Sequence, residues 1–299
     1  MTRFRANLLL LVTAVIWGST FTVQQLAMEH IGPMLYTGAR FLLGALVVLP
    51  FAVWQARKLS AAQSWRLDRG DLIGLAVTGT ALFAGALLQQ IGIKYTTVAN
   101  AGFLTALYVP LTPIIALVAL RQFPHWAVWP AAIGCTAGAY VLSGGDVTAI
   151  SAGDLWVIAG SLFWAIHVLM VGYMARRTRA PFVVAAAQFT VCAIWGVTWG
   201  VATEPVSFEI LRDAFPYTVY AGVFSIGIGF TLQVIAQQHT PGPDAAIILS
   251  SETVFAAMAG MIFLGEVLST AGYMGCAMIL AGVLAVELLP IALPKRVLR

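Results

Sequence analysis

The chain has 299 residues, of which 60% are hydrophobic and only 9% charged, with a net charge of +4. A soluble domain carries about 25% charged residues, so this composition excludes a soluble globular enzyme. The apolar residues fall in long runs parted by short polar breaks, the pattern of a polytopic membrane protein.

The basic excess is assigned to loops facing the cytoplasm rather than to nucleic acid. Cys135, Cys192 and Cys276 all lie inside apolar runs at spacings that suit neither a metal site nor a disulfide, and read as small packing residues.

The first run, Leu8 to Met28, follows Arg3 and Arg5. A signal peptide has an apolar core of about 7–15 residues that closes on a small-residue cleavage site. This run is longer and shows no such site, so it reads as a retained span. Nine further helices are predicted, at about 34–54, 71–92, 98–120, 127–143, 154–175, 182–201, 215–238, 245–264 and 268–289. Most are near 20 residues, enough to cross the hydrocarbon as helix; the fifth is the shortest.

Lys and Arg set the orientation. With the N-terminus in the cytoplasm, thirteen of them fall in cytoplasmic segments and only Lys94 and Arg212 on the opposite side. Both termini are therefore expected in the cytoplasm. Most Trp residues lie near helix ends, where an amphipathic ring is wet at one edge. Trp17 and Trp164 fall mid-span.

The two halves are related. Pro33, Ala39 and Phe41 match Pro181, Ala187 and Phe189 at an offset of 148. At an offset of 144, Gln89 matches Gln233, Thr96 matches Thr240, Ala101 matches Ala245, and Ala137–Gly138 match Ala281–Gly282. Trp17 matches Trp164 at 147. Five spans per half is an odd number, so the second half enters the membrane in the opposite sense. Such inverted repeats place a substrate near the bilayer midplane, between them. The expected fold is all-α: ten transmembrane helices in two inverted five-helix repeats, residues 1–145 and 146–299, around a central cavity.

This pattern resembles the drug/metabolite transporter superfamily in its EamA-domain exporter branch. So do P-x-x-x-x-x-x-R-F in the second span (Pro33, Arg40, Phe41), L-G-E at Leu264–Glu266 and the closing G-x-x-x-x-x-x-G-V at Gly275–Val283. The first half has Arg121–Gln122 where the second has Gly265–Glu266, so that motif stands in one half only. The resemblance covers nearly the whole chain. It implies alternating-access export of small metabolites from a cell inner membrane, with YddG-like amino-acid exporters a close branch.

Thr13, Trp17, Thr20 and Gln24 share one face of the first helix at steps of 4, 3 and 4. Ser161, Trp164 and His167 share a face of the sixth, and Thr78 and Gln89 one of the third, with Gly85 between them. These are polar stripes with an aromatic centre. They suit either a cavity wall or bonds between helices; the paired Trp residues favour the cavity. Gly18 is expected to give the backbone room beside the Trp17 indole. Ser19 points to another helix.

Three ionisable residues lie inside spans: Arg40, His167 and Glu252. A charge at a helix centre costs about 2.5–3.5 kcal/mol on insertion scales, so each needs a cavity, a partner or neutrality. Glu252 suits a substrate amine, a proton-coupling carboxylate or a hydrogen-bonded structural role. His167 carries a proton or bonds a neighbouring helix. Arg40 is expected to pair, with Glu266 as the candidate partner. Tyr108, Pro110 and Pro113 lie mid-span in the fourth helix, where proline frees backbone carbonyls and suits a kink. Pairs such as Gly134 and Gly138 suit close helix packing.

The expected substrate-binding residues are Trp17, Thr20, Gln24, Thr78, Gln89, Tyr108, Trp164, His167 and Glu252. No catalytic, cofactor or metal residue is expected. Aromatic walls suit apolar side chains, and the polar groups suit amino and carboxyl ends. An intramembrane enzyme acting on a lipid or small apolar substrate is the alternative. Against it, there is no H-E-x-x-H helix, and Ser161 and His167 lie about 240° apart around one helix. A sensor would need an extramembrane domain, and a channel would need repeated polar rings. The expected partners are a small-molecule substrate and the lipid bilayer, with no nucleic acid, and the protein is expected to act as a monomer.

Overall fold

The structure is a computed structural model that describes residues 1–63, 65–96, 98–144, 151–264 and 267–292. Eight of its helical segments are long and apolar enough to cross a membrane. A shorter apolar helix, α6 (Val128–Leu142), and the broken pair α11 (Gly242–Leu249) and α12 (Glu252–Leu264) bring the crossings to ten. The uninterrupted spans are α1 (Arg3–Ala27), α2 (Pro33–Gln63), α3 (Arg69–Tyr95), α6, α7 (Ala152–Thr178), α8 (Pro181–Thr203) and α13 (Thr270–Ala292).

Three spans depart from the predicted continuous helices. The fourth is split into α4 (Val98–Thr105) and α5 (Tyr108–Val118), and the ninth into α11 and α12. The two breaks fall at equivalent positions, 106–107 and 250–251. Their chemistry differs. Pro110 occupies the first turn of α5, where no helical N–H is needed. In the ninth span, the hydroxyls of Ser250 and Ser251 turn back onto the carbonyls of Ile247 and Ile248, each at 2.7 Å. The eighth span runs α9 (Phe208–Tyr220), a π-helix over Ala221–Phe230, then α10 (Thr231–Gln237). The equivalent stretch of the third span, residues 77–86, is ordinary α-helix.

Polar caps start the helices, and some of the polar arrangements at their ends repeat across the halves. Asp68 and Asp71 cap α3 reciprocally, as Ser151 and Asp154 cap α7. The Glu204 carboxylate accepts from the N–H groups of Met34 and Leu35 at 2.9 and 2.8 Å, closing the start of α2. Gln55 does the same for Phe182 and Val183 at the start of α8, 3.0 and 3.4 Å away. Thr96 donates to Asp154 at 2.5 Å, and its equivalent Thr240 donates to Asn7 at 2.6 Å.

Packing follows the same pseudo-twofold relation. α2 lies on its equivalent α8, and α6 on its equivalent α13. α3 packs on α7, and the eighth span packs on α1. Small residues set the closest approaches, since lipid supplies no hydrophobic drive between helices. A Cβ at Gly38 would fall 2.3 Å from the Val197 nitrogen, and one at Gly196 would fall 2.6 Å from Gly38 Cα. Gly138 and Gly275 meet in the same way between α6 and α13. Gly134 instead faces open space, so only one of the expected glycine pair serves packing. Gly38→Val is expected to lower the apparent Tm and the monodisperse yield, by the ~1–3 kcal/mol of an overpacked contact. Gly134→Ala is expected to change neither; thermal-shift measurements on detergent-purified protein check both.

Candidate functional site

A cavity opens where both broken helices restart. It is lined by Trp17, Phe21, Gln24, Arg40, Phe41, Gln89, Thr105, Tyr108, Trp164, Val168, Ser225, Phe230, Gln233, Leu249 and Glu252, with about 540 Å³ between these atoms including its open side. The lining follows the repeat. Tyr108 begins α5 and its equivalent Glu252 begins α12. Trp17 answers Trp164, Phe21 answers Val168, Gln89 answers Gln233 and Thr105 answers Leu249.

Each tryptophan rests on a glycine of the other half. A Cβ at Gly229 would meet Trp17 Nε1 at 2.9 Å, and a Cβ at Gly85 would meet Trp164 Cδ2 at 3.1 Å. Gly85 and Gly229 are themselves equivalents at the 144 offset. Gly18, expected beside the indole, instead admits α12: a Cβ there would lie 2.7 Å from the Ala256 nitrogen. Phe230, the last residue of the π-helix, joins the two rings, 4.4 Å from Trp17 and 5.9 Å from Trp164 between centroids.

The polar groups are unevenly satisfied. Trp17 Nε1 donates to the Ser225 carbonyl at 3.3 Å, and Thr13 donates to the Gly229 carbonyl at 3.1 Å. Both carbonyls belong to the π-helix, a form that recurs at functional sites. Trp164 Nε1 finds no partner among the described residues. Neither do the Tyr108 hydroxyl, Arg40 Nε and both carboxamide atoms of Gln233. Gln89 donates to Thr105 at 3.0 Å. Arg40 donates to Gln24 at 2.7 Å and lies over the Tyr36 and Phe41 rings. The expected pair with Glu266 lies outside the described residues. Glu252 is 4% exposed and forms no ion pair with a described residue.

Six of the nine expected residues line the cavity: Trp17, Gln24, Gln89, Tyr108, Trp164 and Glu252. Thr20, Thr78 and His167 do not. The cavity face of α1 runs through Trp17, Phe21 and Gln24; Thr20 sits beside it, bonded to the Ile16 carbonyl at 2.7 Å. Thr78 is eleven residues from Gln89, about 16 Å along the helix, and is bonded to the Gly74 carbonyl. His167 turns to α8, where its Nε2 meets Gln188 Oε1 at 2.8 Å, behind Phe230. Ser19 reaches Tyr220 of the eighth span at 2.7 Å. Phe230, Gln233, Ser225 and Leu249 were not among the expected site residues. The match of Gln233 to Gln89 was the signal for the second of them.

The model of the EamA-like transporter family matches residues 4–144 and again residues 151–288. The chain belongs to the EamA-like transporter family. An uncharacterized transporter of Archaeoglobus fulgidus is 31% identical over 286 residues, covering 96% of this chain and 87% of its own. The uncharacterized transporter YwfM of Bacillus subtilis is 26% identical, with 95% and 94% covered. A crystal structure at 20% identity covers 98% of this chain and 100% of its own with a TM-score of 0.78, and so shares the fold. This EamA-like protein is a multi-pass membrane transporter, and its repeated family domain agrees with the two inverted halves seen in the structure.

Proposed function

We propose that this transporter exports small amphipathic metabolites, foremost neutral and aromatic amino acids. It does so by alternating access of two lobes around the midplane cavity. The observation that carries this reading is the lining itself. Two indoles and Phe230 form an apolar wall, and among the described lining residues Arg40 supplies the basic group and Glu252 the carboxyl. A zwitterion with an apolar side chain matches each part. The rings take the side chain by burial and stacking. Glu252 takes the ammonium.

The two half-helix starts support the same division. A helix N-terminus favours negative charge. Glu252 already occupies that of α12, whereas α5 begins with the uncharged Tyr108 and leaves its positive end to a substrate carboxylate. The protein acts as a monomer in a bacterial-type inner membrane, with both termini cytoplasmic.

Purified protein in liposomes is expected to exchange labelled phenylalanine, methionine or leucine at rates well above protein-free vesicles. Failure to exchange any neutral amino acid would overturn the substrate class. A C-terminal green fluorescent protein fusion is expected to fluoresce, and a C-terminal alkaline phosphatase fusion to stay inactive. The reverse pattern would overturn the orientation.

A further inference from the structure

We infer that Gln233 reads the substrate's adjacent ammonium and carboxylate, and that it is free to do so because Leu249 stands where the first half has a threonine. This rests on the amino-acid reading above.

The two glutamines are equivalent, and both line the cavity. Sixteen residues beyond each lies a second equivalent pair, Thr105 and Leu249, which also lines it. Gln89 donates to the Thr105 hydroxyl at 3.0 Å and is thereby held. Leucine offers no acceptor. Gln233 is fully buried, and neither its Oε1 nor its Nε2 has a partner among the described residues. One exchange of side chain between the halves thus parks one glutamine and leaves the other open.

A carboxamide edge presents an acceptor and a donor side by side. An α-amino acid presents an ammonium and a carboxylate oxygen on neighbouring positions. Edge to edge, Oε1 accepts from the ammonium and Nε2 donates to the carboxylate. A ligand with one of the two groups satisfies half of Gln233 and leaves the other atom buried and unpaired, the arrangement that gives a polar site its strongest discrimination. The Trp164 N–H and the Tyr108 hydroxyl, also unpartnered in the lining, are further donors for the carboxylate.

The test uses full-length protein in liposomes, labelled phenylalanine, and two competitors of similar shape. 2-Phenylethylamine lacks the carboxylate and 3-phenylpropionate lacks the ammonium, and neither puts a hydroxyl in its place. The wild type is expected to prefer phenylalanine over both by about tenfold or more. Leu249→Thr supplies Gln233 with the hydroxyl that Gln89 has. It is expected to raise KM for phenylalanine about tenfold, leave kcat and folded yield unchanged, and flatten the preference. Gln233→Leu is expected to flatten it too. Leu249→Val, which matches threonine in shape without the hydroxyl, carries the steric change alone and is expected to raise KM less than Leu249→Thr and to keep the preference for phenylalanine over both competitors.

Equal shifts in Leu249→Thr and Leu249→Val, or an intact preference in Gln233→Leu, would overturn the inference while amino-acid transport stood. A wild type that carries no labelled amino acid would overturn both.

Discussion

Trp164→Phe is expected to slow amino-acid exchange while leaving the fold as stable as before, whereas Trp17→Phe is expected to loosen the fold. The two indoles are equivalent in the repeat but not in their bonding. Trp17 donates to the Ser225 carbonyl of the π-helix. Removing that N–H forfeits a net ~0.5–1.5 kcal/mol. Trp164 donates to nothing in the described protein, and a buried unpaired donor costs about 1–3 kcal/mol. Deleting it therefore leaves Tm unchanged or raised and removes a donor from the substrate alone. Trp164→Ala goes further. It strips a ring whose stacking is worth ~0.5–1.5 kcal/mol beyond its buried area, and exchange is expected to fall about tenfold or more. Thermal-shift and liposome assays on the same preparations separate the effects. Wild-type exchange in Trp164→Ala would remove the ring from the binding wall.

Glu252→Gln is expected to raise KM for zwitterionic substrates about ten- to a hundredfold. That factor corresponds to the ~1.5–3 kcal/mol of a hydrogen bond to a charged group. The carboxylate is buried in the cavity at the start of α12. Glutamine keeps its shape and an acceptor but not its charge, so loss by steric change is controlled. Running the assay with and without an imposed pH gradient tests coupling at the same time. A gradient effect present in the wild type and absent in Glu252→Gln assigns the proton to this residue. Unchanged flux in the variant under both conditions would make Glu252 a structural residue.

Much of this architecture was legible in the residues. Span lengths and the offsets of Trp17 to Trp164 and Gln89 to Gln233 carried the ten-crossing inverted repeat. Mid-span placement alone marked Glu252. The interruptions were harder to see. Pro110 advertised the break in the fourth span, but the ninth is broken by Ser250 and Ser251, whose hydroxyls bond back to local carbonyls. Serine does this only in some settings. Nothing in A-G-V-F-S-I-G-I-G-F distinguishes a π-helix from an α-helix, because the choice depends on what packs against it. Here Thr13 and Trp17 take its carbonyls.

Helical spacing also misplaced three lining residues for one reason. A central span is wrapped by protein on several sides, so a polar side chain can be satisfied away from the cavity. His167 finds Gln188, and Thr20 and Thr78 find their own backbone. Periodicity identifies a face but not its neighbour.

The crossed seating of the two indoles makes the halves mutually dependent. The ring from residues 4–144 lies on Gly229, and the ring from residues 151–288 lies on Gly85. Neither half encloses a site from its own chain. Severed at the connection between them, the two pieces would regain a cavity only by inserting with opposite topologies and docking face to face. Each half is thus a scaffold for the other's recognition surface.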